Sequence, residues 1–419
     1  MGKYIMNGLR RLEGTLRVQG SKNAALPILA AALLTPKSTI HNCPDLSDVA
    51  AAIHILEDLG CRCCREGSSV TVTADSCPQS FIADSLMREM RSSVVFLGAM
   101  VARCGKARIS FPGGCELGPR PIDMHLSGLQ KMGVFIRDDG GYLDCRAENG
   151  LHGARIALPF PSVGATENIM IAACTAKGTT EIHNAAREPE IGGLADFLNA
   201  AGARIRIAPD GTVFIEGVKQ LHECEYTVIA DRIAAATYLC AAAVSGGRLL
   251  LTGADPGHLT ACIPLYEQAG CTVHIREDAI ELQAPKRLGA LPIVRTMPYP
   301  GFPTDAQAPF MAMSSLAAGT SVFVENIFEN RYKHAGELAR MGADIKLEGR
   351  VAVVEGTERL HGASVNCTDL RGGAALVVAA LAAEGETVVR EIRHIERGYE
   401  ALEKNLSLLG ADIRRVAED

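Results

Sequence analysis

Six stretches of the chain are apolar almost all the way round a helix: NAALPILAAALL (23–34), SVVFLGAMVA (93–102), ENIMIAACTA (167–176), IAAATYLCAAAV (233–244), APFMAMSSLAA (308–318) and GGAALVVAALAA (372–383). A helix without a polar face has to be buried, and the abundance of Ala and Gly allows such helices to pack closely. A β-branched strand follows each one, at 38–42, 107–111, 179–185, 247–253, 320–326 and 386–392. Some 20 residues further on comes a short signature of an apolar residue, a Gly and an Ile/Val-rich run. Its glycines are Gly60, Gly133, Gly202, Gly270, Gly342 and Gly410, spaced 68 to 73 residues apart. The chain therefore reads as six repeats of helix, strand, helix, Gly, strand. Six buried helices are most easily housed as two bundles of three wrapped by sheets, an α/β protein of two lobes.

Polar or charged residues precede the six helices in register: Ser21-Lys22-Asn23, Arg91-Ser92, Thr166-Glu167-Asn168, Asp231-Arg232, Thr304-Asp305 and Asp369-Leu370-Arg371. Ser, Asn and Asp at these places are ordinary caps. Capping does not explain Lys22, Arg91, Arg232 and Arg371, because a cation at a helix N-terminus opposes the dipole unless an anion sits there. If the six N-termini of the two lobes face each other, they form an anion-binding cleft.

Length and composition narrow the classes. The 419 residues suffice for two or three domains. The apolar runs stop short of the ~18 residues that cross a bilayer, and the first 20 residues lack the apolar core of a secretory signal; a cytoplasmic protein with no membrane association is expected. The formal net charge is −6 with no basic block, which argues against a nucleic-acid partner or a clamp around nucleic acid. The 14 cysteines lack the paired spacing of a zinc site and read as reduced core fillers. No metal and no cofactor is expected.

The Gly/Pro-rich loop FPGGCELGPRPID (111–123) carries Cys115, Arg120 and Asp123, and a loop thiol near Arg favours the thiolate; an incidental cysteine is the alternative. In YPGFPTDAQAP (299–309), Asp305 is either a plain N-cap or a general base at the cleft mouth. FENRYKHAGEL (328–338) supplies Arg331, whose local pattern is that of a surface helix charge, and IRHIERGYE (392–400) adds Arg393 and Arg397. Glu188 and Glu190 in AAREPEI (185–191) read as a solvated turn.

GSKNAALP (20–27), PGGCELGPRPIDMH (112–125), SVGATEN (162–168), NAAREPEI (184–191), FPTDAQAP (302–309), FENRYKH (328–334), TDLRGG (368–373) and HIERGYE (394–400) together resemble the UDP-N-acetylglucosamine 1-carboxyvinyltransferases from about Ile5 to Val416. This family of enolpyruvyl transferases opens bacterial peptidoglycan synthesis, serving cell shape and division, and is the target of fosfomycin. The resemblance implies a two-lobed inside-out α/β barrel with three repeats per lobe, the lobes being 22–229 and 1–21 with 230–419. It implies phosphoenolpyruvate and UDP-N-acetylglucosamine as substrates. Phosphoenolpyruvate would be held by Lys22, Arg120, Arg371 and Arg397. The nucleotide sugar would be held by Asn23, Arg91, Arg120, Pro121, Ile122, Asp123, Ser162, Val163, Gly164, Asp305 and Ile327, with Arg331 and Asp369 also on the substrate site. Cys115 would deliver a proton and act as thiol nucleophile, Asp305 would deprotonate the sugar 3-hydroxyl, and Lys22 and Arg397 would serve the chemical step. Many relatives carry Lys where this chain has Phe160, and some carry an acidic residue where it has Ala234. The runner-up readings are a transferase like 5-enolpyruvylshikimate-3-phosphate synthase and an inactive or regulatory paralogue.

Overall fold

The computed structural model describes residues 2–74, 79–111 and 122–417. The six apolar runs are helices, here α1 (Lys22–Ala32), α2 (Phe96–Cys104), α3 (Val163–Ala173), α4 (Arg232–Val244), α5 (Thr304–Ser314) and α6 (Leu370–Ala380). Two of them begin about four residues before the apolar run does. The Ser162 hydroxyl caps α3, and Pro303 leads into α5, so the polar segments there form first turns rather than loops.

The chain divides into two compact units, one joining the N-terminal segment up to Gln19 to Ala230 and beyond, the other made of described residues between Gly20 and Ile229. Each unit has its own hydrophobic core. Helices α1, α2 and α3 pack on one another in one unit, and α4, α5 and α6 in the other. Their side chains are buried on all faces, as the absence of a polar stripe requires.

The repeats share a plan that the local pattern only half reveals. In the third, fifth and sixth, a strand leads into the buried helix and the strand that leaves it pairs parallel with the first: Arg155–Ala157 with Thr179–His183, Ile293–Arg295 with Thr320–Val324, and Ser364–Asn366 with Glu386–Arg390. An outer helix follows, and in the third and fifth repeats two antiparallel strands then complete a four-stranded sheet. In the first and fourth repeats the entering strands are exchanged. Glu13–Arg17 leads into α1 yet pairs with Arg248–Thr252, while Cys224–Thr227 leads into α4 yet pairs with Lys37–His41. In the sixth, Gly2–Asn7 lies between Glu386–Arg390 and Asp412–Ala417, antiparallel to both. The first residues of the chain thus finish its last repeat. Among the described residues no sheet closes on itself; helices inside and sheets outside are what the inside-out architecture consists of.

The signature glycines have one physical cause. All six are left-handed, with φ between 89° and 102°, and each ends an outer helix. The pattern is that of Gly60, whose N–H bonds Glu57 O while the next N–H, of Cys61, reaches back to Leu56 O. This C-terminal cap needs a positive φ, which costs a residue with a Cβ about 1 kcal/mol or more. It turns the chain directly into the following strand.

All 12 described cysteines are free thiols, eight of them buried. Cys77 and Cys115 lie outside the described residues. No described helix is long and apolar enough to cross a membrane.

Candidate active site

In the unit that holds α4, α5 and α6, three predicted residues converge. Asp305 stands in the first turn of α5 but does not cap it: the cap position is Pro303 and no side chain caps this end. The plain-cap reading is therefore replaced. Asp305 Oδ1 accepts from Arg331 Nη2 at 2.9 Å, and Oδ2 accepts from Arg371 Nε at 3.3 Å. Both arginine side chains are only 2% exposed, whereas that of Asp305 is 29% exposed. The carboxylate is held by two cations and keeps partial exposure.

Arg331 corrects the surface-charge reading. The polar run FENRYKH looks solvated, but the guanidinium is drawn inward by Asp305 and by the Thr304 carbonyl at 3.1 Å. Burial works against the charge of Arg371, yet Tyr399, Asp305 and Asp231 outweigh it and hold its pKa above the ordinary value. Arg371 Nη2 also forms an ion pair with Asp305 Oδ2 at 3.3 Å, though neither it nor Nη1 meets an acceptor in hydrogen-bonding geometry. Asp369 caps α6, accepting from the backbone N–H groups of Arg371 and Gly372, both at 3.0 Å. Arg397 ends a short 3₁₀ helix, Ile392–Arg397, and is half-buried.

Several supports were invisible in the local sequence. Glu325 is buried and accepts four hydrogen bonds, from the Thr296 and Thr304 hydroxyls and from the N–H groups of Ile327 and Phe328. It ties the segment carrying Ile327 to the start of α5. His334 is wholly buried, and burial drives its pKa down to about 4 against the pull of Asp369, with Arg331 adding to the drop; the ring is neutral.

In the other unit, Ser21 caps α1 and places Lys22 in its first turn. The anion that such a cation calls for is in part the protein's own: Lys22 Nζ donates to Asp48 Oδ2 at 3.1 Å, with the lysine side chain 11% exposed. Asp48 stands in the first turn of the outer helix Ser47–Asp58. Asn23 follows Lys22, half-buried. Ser162, Val163 and Gly164 form the cap and first turn of α3. His125, on the helix Asp123–Lys131 that Ile122 leads into, lies against Gly164 so closely that a Cβ there would stand 3.0 Å from its ring. Asn168 sets the ring's tautomer. Its Oδ1 accepts from the Gly98 N–H, so its Nδ2 donates, to Val94 O at 2.7 Å and to His125 Nδ1 at 3.0 Å. The His125 proton therefore resides on Nε2, and burial lowers the pKa to about 4.

Glu167 departs from the expected pattern. It is buried in α3, and burial, then Glu190, then Glu188 push its carboxyl well above the usual range. Glu190 is itself buried, not part of a solvated turn. Arg91 opens a short 3₁₀ helix, Arg91–Val95, ahead of α2; its side chain, with Cys115, Arg120 and Pro121, lies outside the described residues. Among the described residues no cluster of three His, Cys, Asp or Glu side chains could hold a metal ion.

The family model for EPSP synthase (3-phosphoshikimate 1-carboxyvinyltransferase) matches residues 6–406. UDP-N-acetylglucosamine 1-carboxyvinyltransferase 2 of Caldanaerobacter subterraneus subsp. tengcongensis is 52% identical over 417 residues, covering 99% of this chain and 100% of that protein. The enzyme of the same name from Trichlorobacter lovleyi is 47% identical over 419 residues, with both chains fully covered. Among solved structures, the enolpyruvyl transferase NikO from Streptomyces tendae superposes with a TM-score of 0.90 at 27% identity, covering 100% of this chain and 99% of that one. EPSP synthase from Acinetobacter baumannii gives 0.76 at 18% identity, covering 99% of this chain and 100% of that one, a likeness of fold alone. With the family match running nearly end to end and these relatives aligned over their whole lengths, the chain belongs to the EPSP synthase family of carboxyvinyltransferases, in its UDP-N-acetylglucosamine 1-carboxyvinyltransferase branch.

Proposed function

We propose that the chain transfers the enolpyruvyl group of phosphoenolpyruvate to the 3-hydroxyl of UDP-N-acetylglucosamine, releasing phosphate, the first committed step of peptidoglycan synthesis, carried out in the cytoplasm. The observation that carries this reading is Asp305, anchored through both oxygens by Arg331 and Arg371 and still partly open.

The reaction divides into an addition and an elimination. In the addition the sugar O3 bonds to C2 of phosphoenolpyruvate, its proton passes to Asp305, and Cys115 delivers a proton to C3. In the elimination the C2–O bond to phosphate breaks, C3 gives up a proton, and the enol ether is restored. Each proton-transfer partner contributes roughly 10²- to 10⁴-fold. Lys22, Arg120, Arg371 and Arg397 hold the carboxylate and phosphate of phosphoenolpyruvate and stabilise the charge that develops as phosphate departs. Asn23, Arg91, Ile122, Asp123, Ser162, Val163, Gly164 and Ile327 receive the nucleotide sugar, with Pro121, Arg331 and Asp369 beside it, and the 22–229 lobe carries the Cys115 loop.

Relatives named for UDP-N-acetylglucosamine, about half identical over the full chain, favour this acceptor over shikimate 3-phosphate. Phosphate release from phosphoenolpyruvate tests the proposal. Release that requires UDP-N-acetylglucosamine supports it; release with shikimate 3-phosphate instead, or none with either, overturns it.

A further inference from the structure

Arg371 is a buried cation whose direction has to be set by its neighbours, and the neighbour with the most elaborate support is Tyr399. The guanidinium carbon lies 5.2 Å from the centre of the Tyr399 ring. The phenol is within 2.8 Å of Thr237 Oγ1, and that hydroxyl also lies 2.9 Å from the Ile233 carbonyl. A carbonyl can only accept, so the single Thr237 proton goes to Ile233 and Tyr399 must donate to Thr237. The phenol oxygen then offers only lone pairs to its other neighbours, which suits an adjoining guanidinium.

The backbone around Tyr399 is held as firmly. Gln19 brackets it, accepting from the Glu400 N–H at 2.8 Å and donating to the Gly398 carbonyl at 3.1 Å. A Cβ on Gly398 would stand 2.8 Å from the Leu370 side chain, so glycine there lets this segment lie against the residue that precedes Arg371. Sequence reasoning absorbed Arg371 and Arg397 but left Tyr399, Thr237 and Gln19 without a role.

We propose that Tyr399, fixed by Thr237 and Gln19, is a positioning residue: it seats the Arg371 guanidinium so that its Nε and Nη2 edge faces Asp305 while Nη1 stays available to the anionic groups of phosphoenolpyruvate. The inference rests on the assignment of Arg371 to that substrate. Tyr399 touches neither substrate and acts through Arg371.

The test compares steady-state kinetics of Tyr399→Leu, Tyr399→Phe, Thr237→Val and the Tyr399→Phe/Thr237→Val double variant. Loss of the ring in Tyr399→Leu should raise the KM for phosphoenolpyruvate about tenfold or more, with the KM for UDP-N-acetylglucosamine within about threefold of the parent. Tyr399→Phe keeps the ring face and should restore most of that loss, leaving a rise of about threefold. Because both conservative changes remove the same hydrogen bond, the double variant should be no worse than either single one. A phosphoenolpyruvate KM unchanged in Tyr399→Leu, with only thermal stability lowered, overturns the proposal. If Tyr399→Leu does not fold, an unchanged KM in both Tyr399→Phe and Thr237→Val overturns it equally. Asp305→Asn, assayed alongside, separates the two claims: normal turnover there refutes the base, whereas the Tyr399 series reads phosphoenolpyruvate binding.

Discussion

Arg331 donates through Nη2 to Asp305 Oδ1 at 2.9 Å, linking a segment that looks like solvated helix to the first turn of a buried one. The pair spans only 26 residues, yet nothing in either local pattern announces it. Removing Arg331 takes away one of the two arginine charges that hold the Asp305 carboxylate. Arg331→Ala should therefore destabilise the protein by about 2 kcal/mol, less than the 3–5 typical of a wholly buried pair because Asp305 keeps contact with water. Urea denaturation measures this; a change within about 0.5 kcal/mol would mean the pair is solvated in practice.

The Lys22–Asp48 pair is more enclosed. Asp48→Asn should cost about 3 kcal/mol by leaving a buried ammonium with a neutral neighbour. Combining it with Lys22→Met should recover much of that loss, and a double-mutant cycle reads the coupling directly. Simple additivity of the two changes would contradict the pairing.

His125 makes stability depend on pH. Its pKa is about 4 when folded and near 6.5 when unfolded. Between those values the unfolded chain binds a proton that the folded chain does not, so stability is complete above pH 6.5 and is lost as pH falls toward 4. At about 1.4 kcal/mol per pH unit the loss amounts to about 3 kcal/mol. His125→Gln, whose carbonyl can still accept from Asn168, should flatten the profile by that amount. An unaltered acid limb would place the proton uptake elsewhere.

Much of the fold could be read because its causes are local. The apolar runs have no polar face, and the glycines at 60, 133, 202, 270, 342 and 410 sit where only a left-handed residue turns helix into strand. The exchange of Glu13–Arg17 and Cys224–Thr227 could not be read from strand composition, since a strand's residues do not say which partner it takes. The placement of Gly2–Asn7 in the last repeat's sheet is equally non-local. Among the candidate residues of each unit, the polar helix starts pointed to Lys22 in one and to Asp305 and Arg371 in the other. Asp48, Glu325 and Tyr399 stayed hidden because each is defined by a contact between distant or oppositely patterned segments.

The glycine caps give a graded test. Gly410→Ala meets only Arg11 O at 3.4 Å, so its cost should be the backbone strain of φ near 102°, about 1–2 kcal/mol. Gly342→Ala adds a 2.9 Å approach to the His361 ring and should cost more. Denaturant midpoints in the reverse order would refute this account of the signature.

The most direct test of the central claim is the turnover of Asp305→Asn, which keeps the side chain's shape but cannot take a proton from the sugar 3-hydroxyl. With phosphoenolpyruvate and UDP-N-acetylglucosamine both saturating, phosphate release should fall by roughly 10² or more while nucleotide-sugar affinity stays within about tenfold. Turnover within a few-fold of the parent would contradict the assignment of Asp305 as the base.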